Sequence, residues 1–140
     1  MQVNDITTTL CENILLLAFY VQSPYLTMVI RKRRLVVSFT GGLEQVKDLV
    51  LSARLFARLI MALINMVGDR WTTNGELELA GYIPLRWGLS GDLNDYQADV
   101  RIRLEADNYA VLVIVRPENL PECAAPMPPV HESGIARRLA

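Results

Sequence analysis

Leu43 to Val67 reads LEQVKDLVLSARLFARLIMALINMV, and its interpretation decides the fold. No Pro or Gly interrupts it, and Ala, Leu, Met, Glu, Lys and Arg, all good helix formers, predominate. At about 100° per residue, Glu44, Lys47, Asp48, Arg54, Arg58 and Asn65 share one side, while Val46, Leu49, Val50, Phe56, Leu59, Ile60 and Leu63 share the other. The pattern predicts one amphipathic helix over 43–67, roughly 37 Å long at the usual rise per residue. Gly41-Gly42 before it and Gly68 after it are the matching turn and stop signals. The two halves of the stretch differ. Up to Arg58 the polar side is well populated, whereas Leu59–Met66, LIMALINM, has only Asn65 as a polar residue. That half needs cover nearly all round, from its own sheet, a copy of itself or a partner. Leu59, Leu63 and Met66 are therefore the candidate interface residues. Arg54 and Arg58 would fall inside any window long enough to cross a bilayer, so no membrane span is expected.

The rest of the chain supplies the layers around this spine. Thr9-x-x-Glu12 has capping-box spacing and precedes the apolar run Ile14–Val21, which predicts a shorter helix over about Leu10–Val21, with Asp5 as an alternative, earlier cap. Pro24 closes it. Tyr25–Ile30 and Leu35–Phe39 are short β-rich runs around Arg31-Lys32-Arg33-Arg34, the pattern of a hairpin with a basic tip. Asn74-Gly75 is a strong hairpin signal before Glu76–Trp87, where Leu77, Leu79, Ile83, Leu85 and Trp87 alternate with Glu76, Glu78, Tyr82 and Arg86. Pro84 cannot donate to a ladder, so that strand belongs at an edge or carries a bulge near Gly81. Ala98–Leu104 alternates again, with Asp99, Arg101 and Arg103 on the polar face. Tyr109–Val115, YAVLVIV, is apolar throughout and should be a central strand covered on both faces.

These elements predict an α+β fold: one antiparallel sheet of about five strands, with the long central helix (43–67) and the shorter N-terminal helix packed on it. Residues 1–116 would form one compact domain and 117–140, which holds five of the seven prolines, a tail. This order of elements is similar to that of longin/roadblock-type and secretion-chaperone-type domains, a likeness of order that no motif carries.

Composition narrows the function. A hydrophobic content of 51% with 21% charged residues marks a folded globule rather than a disordered chain. The net charge of −1 gives no whole-molecule field to draw nucleic acid. Cys11 and Cys123 form no metal-type motif and no disulfide framework, which suggests reduced thiols and a cytoplasmic setting. The N-terminus lacks a basic region and a cleavage signature, so no secretory signal is expected.

Catalytic sets are sparse. His131 is the single histidine and lies in the Pro-rich tail, where it cannot build a metal site or a triad from sequence neighbours. Cys11 adjoins Glu12 and Cys123 follows Glu122, and neighbouring negative charge works against a thiolate. Glu76/Glu78 and Asp92/Asp95/Asp99 are carboxylate groupings without the spacing of a known site. Gly41-Gly42 lacks the phosphate-loop pattern. No cofactor and no metal are expected. The sharpest local feature is the basic tip, Arg31, Lys32, Arg33 and Arg34, suited to an acidic protein face or a phosphate backbone.

The chain thus reads as a non-enzymatic protein-interaction module (an adaptor, a chaperone-like protein, or an inhibitor or accessory protein) that pairs with itself as a homodimer and binds another protein. Nucleic-acid or anionic-partner binding through the basic tip is the second reading. The third is an enzyme or small-ligand binder whose site, with Tyr82, Arg86, Asp99 and Arg101 as candidates, is assembled only in space.

Overall fold

The computed structural model describes residues 6–42, 46–73, 77–89, 92–105, 108–118 and 127–128. The elements run α1 (Ile6–Tyr20), β1 (Tyr25–Arg31), β2 (Arg34–Thr40), β3 (Leu49–Ser52), α2 (Arg54–Val67), β4 (Thr72–Thr73), β5 (Glu78–Leu89), β6 (Asp92–Glu105) and β7 (Asn108–Pro117). Among the described residues there is one sheet of seven antiparallel strands, in the order β3-β2-β1-β7-β6-β5-β4. Two meanders, β1–β3 and β4–β7, start from different places and meet where β7 pairs with β1. Asp5, Asn74, Gly75, Glu76, Cys123 and His131 lie outside the described residues, as does most of the tail.

The expected five-stranded sheet with a long helix over 43–67 is corrected on both counts. The helix spans 14 residues, Arg54–Val67, and part of the stretch before it is strand β3. Leu49–Ser52 adds to the open side of β2, with Val36 opposite Val50 and Leu35 opposite Leu51. Its exposure alternates, Leu49 and Leu51 turning towards the core and Val50 away from it. Residues with helical spacing therefore fold as a strand because β2 offers a ladder, an instance of tertiary pairing overriding local propensity. The backbone N–H of Arg54 donates to Ser52 Oγ at 3.2 Å where the helix starts. Topology also limits the helix. It carries the chain from the β3 side of the sheet to the β4 side, six inter-strand steps or roughly 29 Å, of which 14 helical residues cover about 21 Å.

Helix α1 starts by Ile6, earlier than Leu10, and ends in a Schellman arrangement. Ser23 N–H donates to Ala18 O at 2.9 Å and Gln22 N–H to Phe19 O at 3.1 Å, with Gln22 at φ +58°. Ser23 Oγ then lies 2.8 Å from Tyr25 O and 2.7 Å from Thr40 O, tying the helix end to the open end of the β1–β2 hairpin. Gly42, at φ +95°, turns the chain beside this point, where a Cβ would sit 2.7 Å from Val21 O.

The main core lies between the helices and one face of the sheet. Cys11, Ile14, Leu15 and Ala18 of α1 and Phe56, Leu59, Ile60 and Leu63 of α2 pack with Leu26, Met28, Val37, Val100, Val111 and Val113 of the strands. β7 is the fourth of the seven strands, and Ala110 to Ile114 are buried at every position. On the face turned from the helices, Met127 packs against Val29 and Ala110. Pro84 is accommodated without a bulge, since the β5–β6 register runs unbroken through it. Its missing donor costs nothing in the sheet interior, because β4 pairs only with Leu79 and Ala80 and leaves that part of β5 unpaired on its other side.

Candidate interaction surface

Helix α2 buries Phe56, Leu59, Ile60, Ala62, Leu63 and Val67. Leu59 and Leu63, two of the candidate interface residues, are fully buried in the core, and Met66 is partly buried against it. The accessible apolar surface of the helix is instead Ala57, Met61 and Ile64. Met61 is 55% exposed. It forms a ridge between two hollows. One, of about 440 Å³, lies between α2 and the ends of the strands, lined by Met61, Ile64, Leu77, Leu79, Leu104 and Tyr109. The other lies between α2 and the start of α1, lined by Ile6, Thr7, Ala57, Arg58, Met61 and Asn65.

The strand side of the first hollow has a simple origin. Leu79, Ile83, Leu85 and Trp87 share the helix-side face of β5, as the alternation predicts, and Ile83, Leu85 and Trp87 join the core. Leu77 and Leu79 lie at the end of that face and stay exposed, together with Leu104. Leu104 N–H donates to Leu77 O at 2.9 Å, which holds the two side by side. The end of α2 is fixed to the same strand, β5. Arg70 donates to Met66 O (3.1 Å) and Tyr82 O (3.2 Å), its guanidinium lies 5.3 Å from the Tyr82 ring centre, and Trp71 Nε1 donates to Ile64 O at 3.4 Å. Gly81 permits this closeness, since a Cβ there would sit 2.7 Å from both Trp71 and Val67.

The basic tip is a two-residue turn. Arg31 and Arg34 pair across the hairpin, and Lys32 and Arg33 form the turn with φ of +52° and +66°. Arg31 Nη1 donates to Ile30 O at 3.1 Å. Lys32, Arg33 and Arg34 are exposed. Arg101 and Arg103 do not extend this tip, because β7 separates β6 from the hairpin. Both instead hold Glu78: Arg101 Nε donates to Oε2 at 2.8 Å and Arg103 Nη2 to Oε1 at 3.1 Å. Asp99 accepts Arg116 Nε at 2.6 Å and Gln97 Nε2 at 2.8 Å. Asp95 lies 3.8 Å from Arg86 at the surface.

Tyr82, Arg86, Asp99 and Arg101 therefore share the outer face of β5 and β6, but Asp99, Arg86 and Arg101 are each engaged by a different charged partner. Among the described residues no three His, Cys, Asp or Glu side chains converge on a metal position. Cys11 is a free thiol in the core. Burial, and then the charge of Glu12, push its pKa up to about 12, so the thiolate that a nucleophile requires is disfavoured. Among the described residues no helix is long and apolar enough to cross a membrane.

No protein-family model matches the chain, and no curated protein matches it.

Proposed function

We propose that the protein is a non-enzymatic interaction module that self-associates through the exposed face of α2. The observation that carries this reading is Met61 standing as an apolar ridge between two hollows that it helps to line. A ridge beside a groove suits two-fold pairing, in which each Met61 would enter the other copy's hollow. The exposed parts of Ile6, Met61, Leu77, Leu79 and Leu104 add to something on the order of 500 Å², and the polar residues around them bring the face towards the ~800 Å² per partner of a stable interface. A contiguous apolar area of this kind marks an interaction site more often than bare surface. The engagement of Glu78 and Asp99 by arginines and the burial of Cys11 support a binding role over a catalytic one.

Light scattering coupled to gel filtration at micromolar concentration tests it. The wild-type chain should elute as a dimer. Met61→Glu should elute as a monomer with unchanged far-ultraviolet dichroism, because the side chain is already half in water. Leu63→Glu, at a fully buried position, should unfold the chain. A monomeric wild-type chain would remove the reading.

A further inference from the structure

The two ends of the sheet are finished differently. At the β4 end, the terminal strand has two residues, and Pro84 interrupts the donors of the uncovered part of β5. Both are recognised ways of blunting an edge. At the other end β3 is terminal, and its four residues, Leu-Val-Leu-Ser, contain no proline and no charge. Among the described residues no strand pairs with its outer side. Val50, in its middle, is exposed.

Unmatched positive charge surrounds one end of that strand. Ser52 lies opposite Arg34 in register, Arg33 is the next residue along the hairpin turn, and Arg54 begins α2 two residues beyond Ser52. All three arginines are exposed, and none makes an ion pair among the described residues. Arg70, Arg86, Arg101, Arg103 and Arg116 all have partners in the fold. The tip also departs from local preference twice. Two successive left-handed residues are the signature of a type I′ turn, which favours Asn-Gly, and here they are Lys32 and Arg33. Arg31 and Arg34 face each other directly, a like-charge pairing that destabilises a hairpin. Departures that concentrate one kind of charge gather at functional sites.

We infer that the open edge of β3 takes up an acidic, extended segment of a partner protein as an eighth strand, with Arg33, Arg34 and Arg54 receiving its carboxylates. Backbone pairing along Leu49–Ser52 provides the docking, and the three guanidinium groups select acidic side chains at the Ser52 end. Arg54 is also the first residue of α2, but neither it nor Arg33, Arg34 or Leu49–Ser52 lines the two hollows beside Met61, so the two surfaces are tested separately.

The test is fluorescence anisotropy with a labelled peptide of alternating Val and Glu, and with the same peptide N-methylated at every residue, so that neither of its edges keeps its donors. The methylated peptide keeps its charge and cannot complete a ladder. The wild-type protein should bind the first peptide at low salt and bind the methylated one at least about tenfold more weakly. Arg33→Glu/Arg54→Glu should weaken the first peptide by at least about tenfold. Val50→Glu, which keeps the arginines but sets a negative charge in the middle of the edge, should weaken it similarly. Thermal melts of both variants should match the wild type, since every altered side chain is exposed. No binding of the alternating peptide, or equal binding of the methylated one, would overturn the inference. So would arginine-dependent capture of a single-stranded oligonucleotide or an anionic vesicle in preference to the peptide.

Discussion

Strands β6 and β7 run side by side, yet they complete the face turned from the helices by opposite means. On β7 that face is Ala110, Leu112 and Ile114, all buried, beside Val29 of β1 and Met127. On β6 it is Gln97, Asp99, Arg101 and Arg103: Asp99 accepts from Gln97 and Arg116, while Arg101 and Arg103 donate to Glu78. Apolar burial is non-directional and tolerates any well-packed neighbour. The ionic solution requires each partner in one geometry, and its value falls with solvent access. The contrast follows from position: β7 is central in the sheet, and β6 lies one strand closer to its edge.

Substitutions on this face sharpen the contrast. The largest effect belongs to Leu112→Ala, which removes a fully buried side chain and should cost about 3 kcal/mol, read as a lower urea midpoint with an unchanged slope. Glu78→Gln keeps shape and burial but removes the charge that two arginines share. It should cost about 1–2 kcal/mol, limited because Arg103 is 45% exposed, and the cost should shrink in ~1 M salt. Arg86→Ala breaks a long pair between two mostly exposed side chains and should change stability by less than about 0.5 kcal/mol. If Glu78→Gln proved more damaging than Leu112→Ala, ionic pairing rather than apolar burial would dominate this face.

The same two strands show what was legible in sequence. YAVLVIV has no polar face, so a doubly covered strand follows from composition alone. The alternation around Asp99, Arg101 and Arg103 gives the two faces of β6 correctly. Their partners were hidden, because Glu78 is brought to Arg101 and Arg103 only by the register of β5 on β6, and Arg116 to Asp99 only by that of β7 on β6. The long helix failed for a related reason. Val46, Leu49 and Val50 fall on the apolar arc of a helical wheel, but Leu-Val-Leu is a continuous apolar run that fits a strand equally well, and the choice is made by a partner strand distant in sequence. Ser52, a residue suited to a helix start, was the local signal for the break. A helical wheel shows which residues are apolar without showing which side the sheet takes. The sheet and α1 cover Leu59 and Leu63, leaving Met61 outside.

The two tryptophans have a consequence in optical terms. Trp71 is hydrogen-bonded to Ile64 O at the end of α2, while the Trp87 ring packs, tilted, with its centre 4.9 Å from that of Phe19 at the end of α1, and Tyr96 lies edge-on to the Phe19 ring at 4.8 Å. Each helix is therefore fastened to the sheet beside its own indole. Emission from Trp71 reports the docking of α2, and the near-ultraviolet dichroism of the Trp87 cluster reports that of α1. The chain carries an intrinsic pair of reporters that can distinguish simultaneous loss of both helices from release of one before the other.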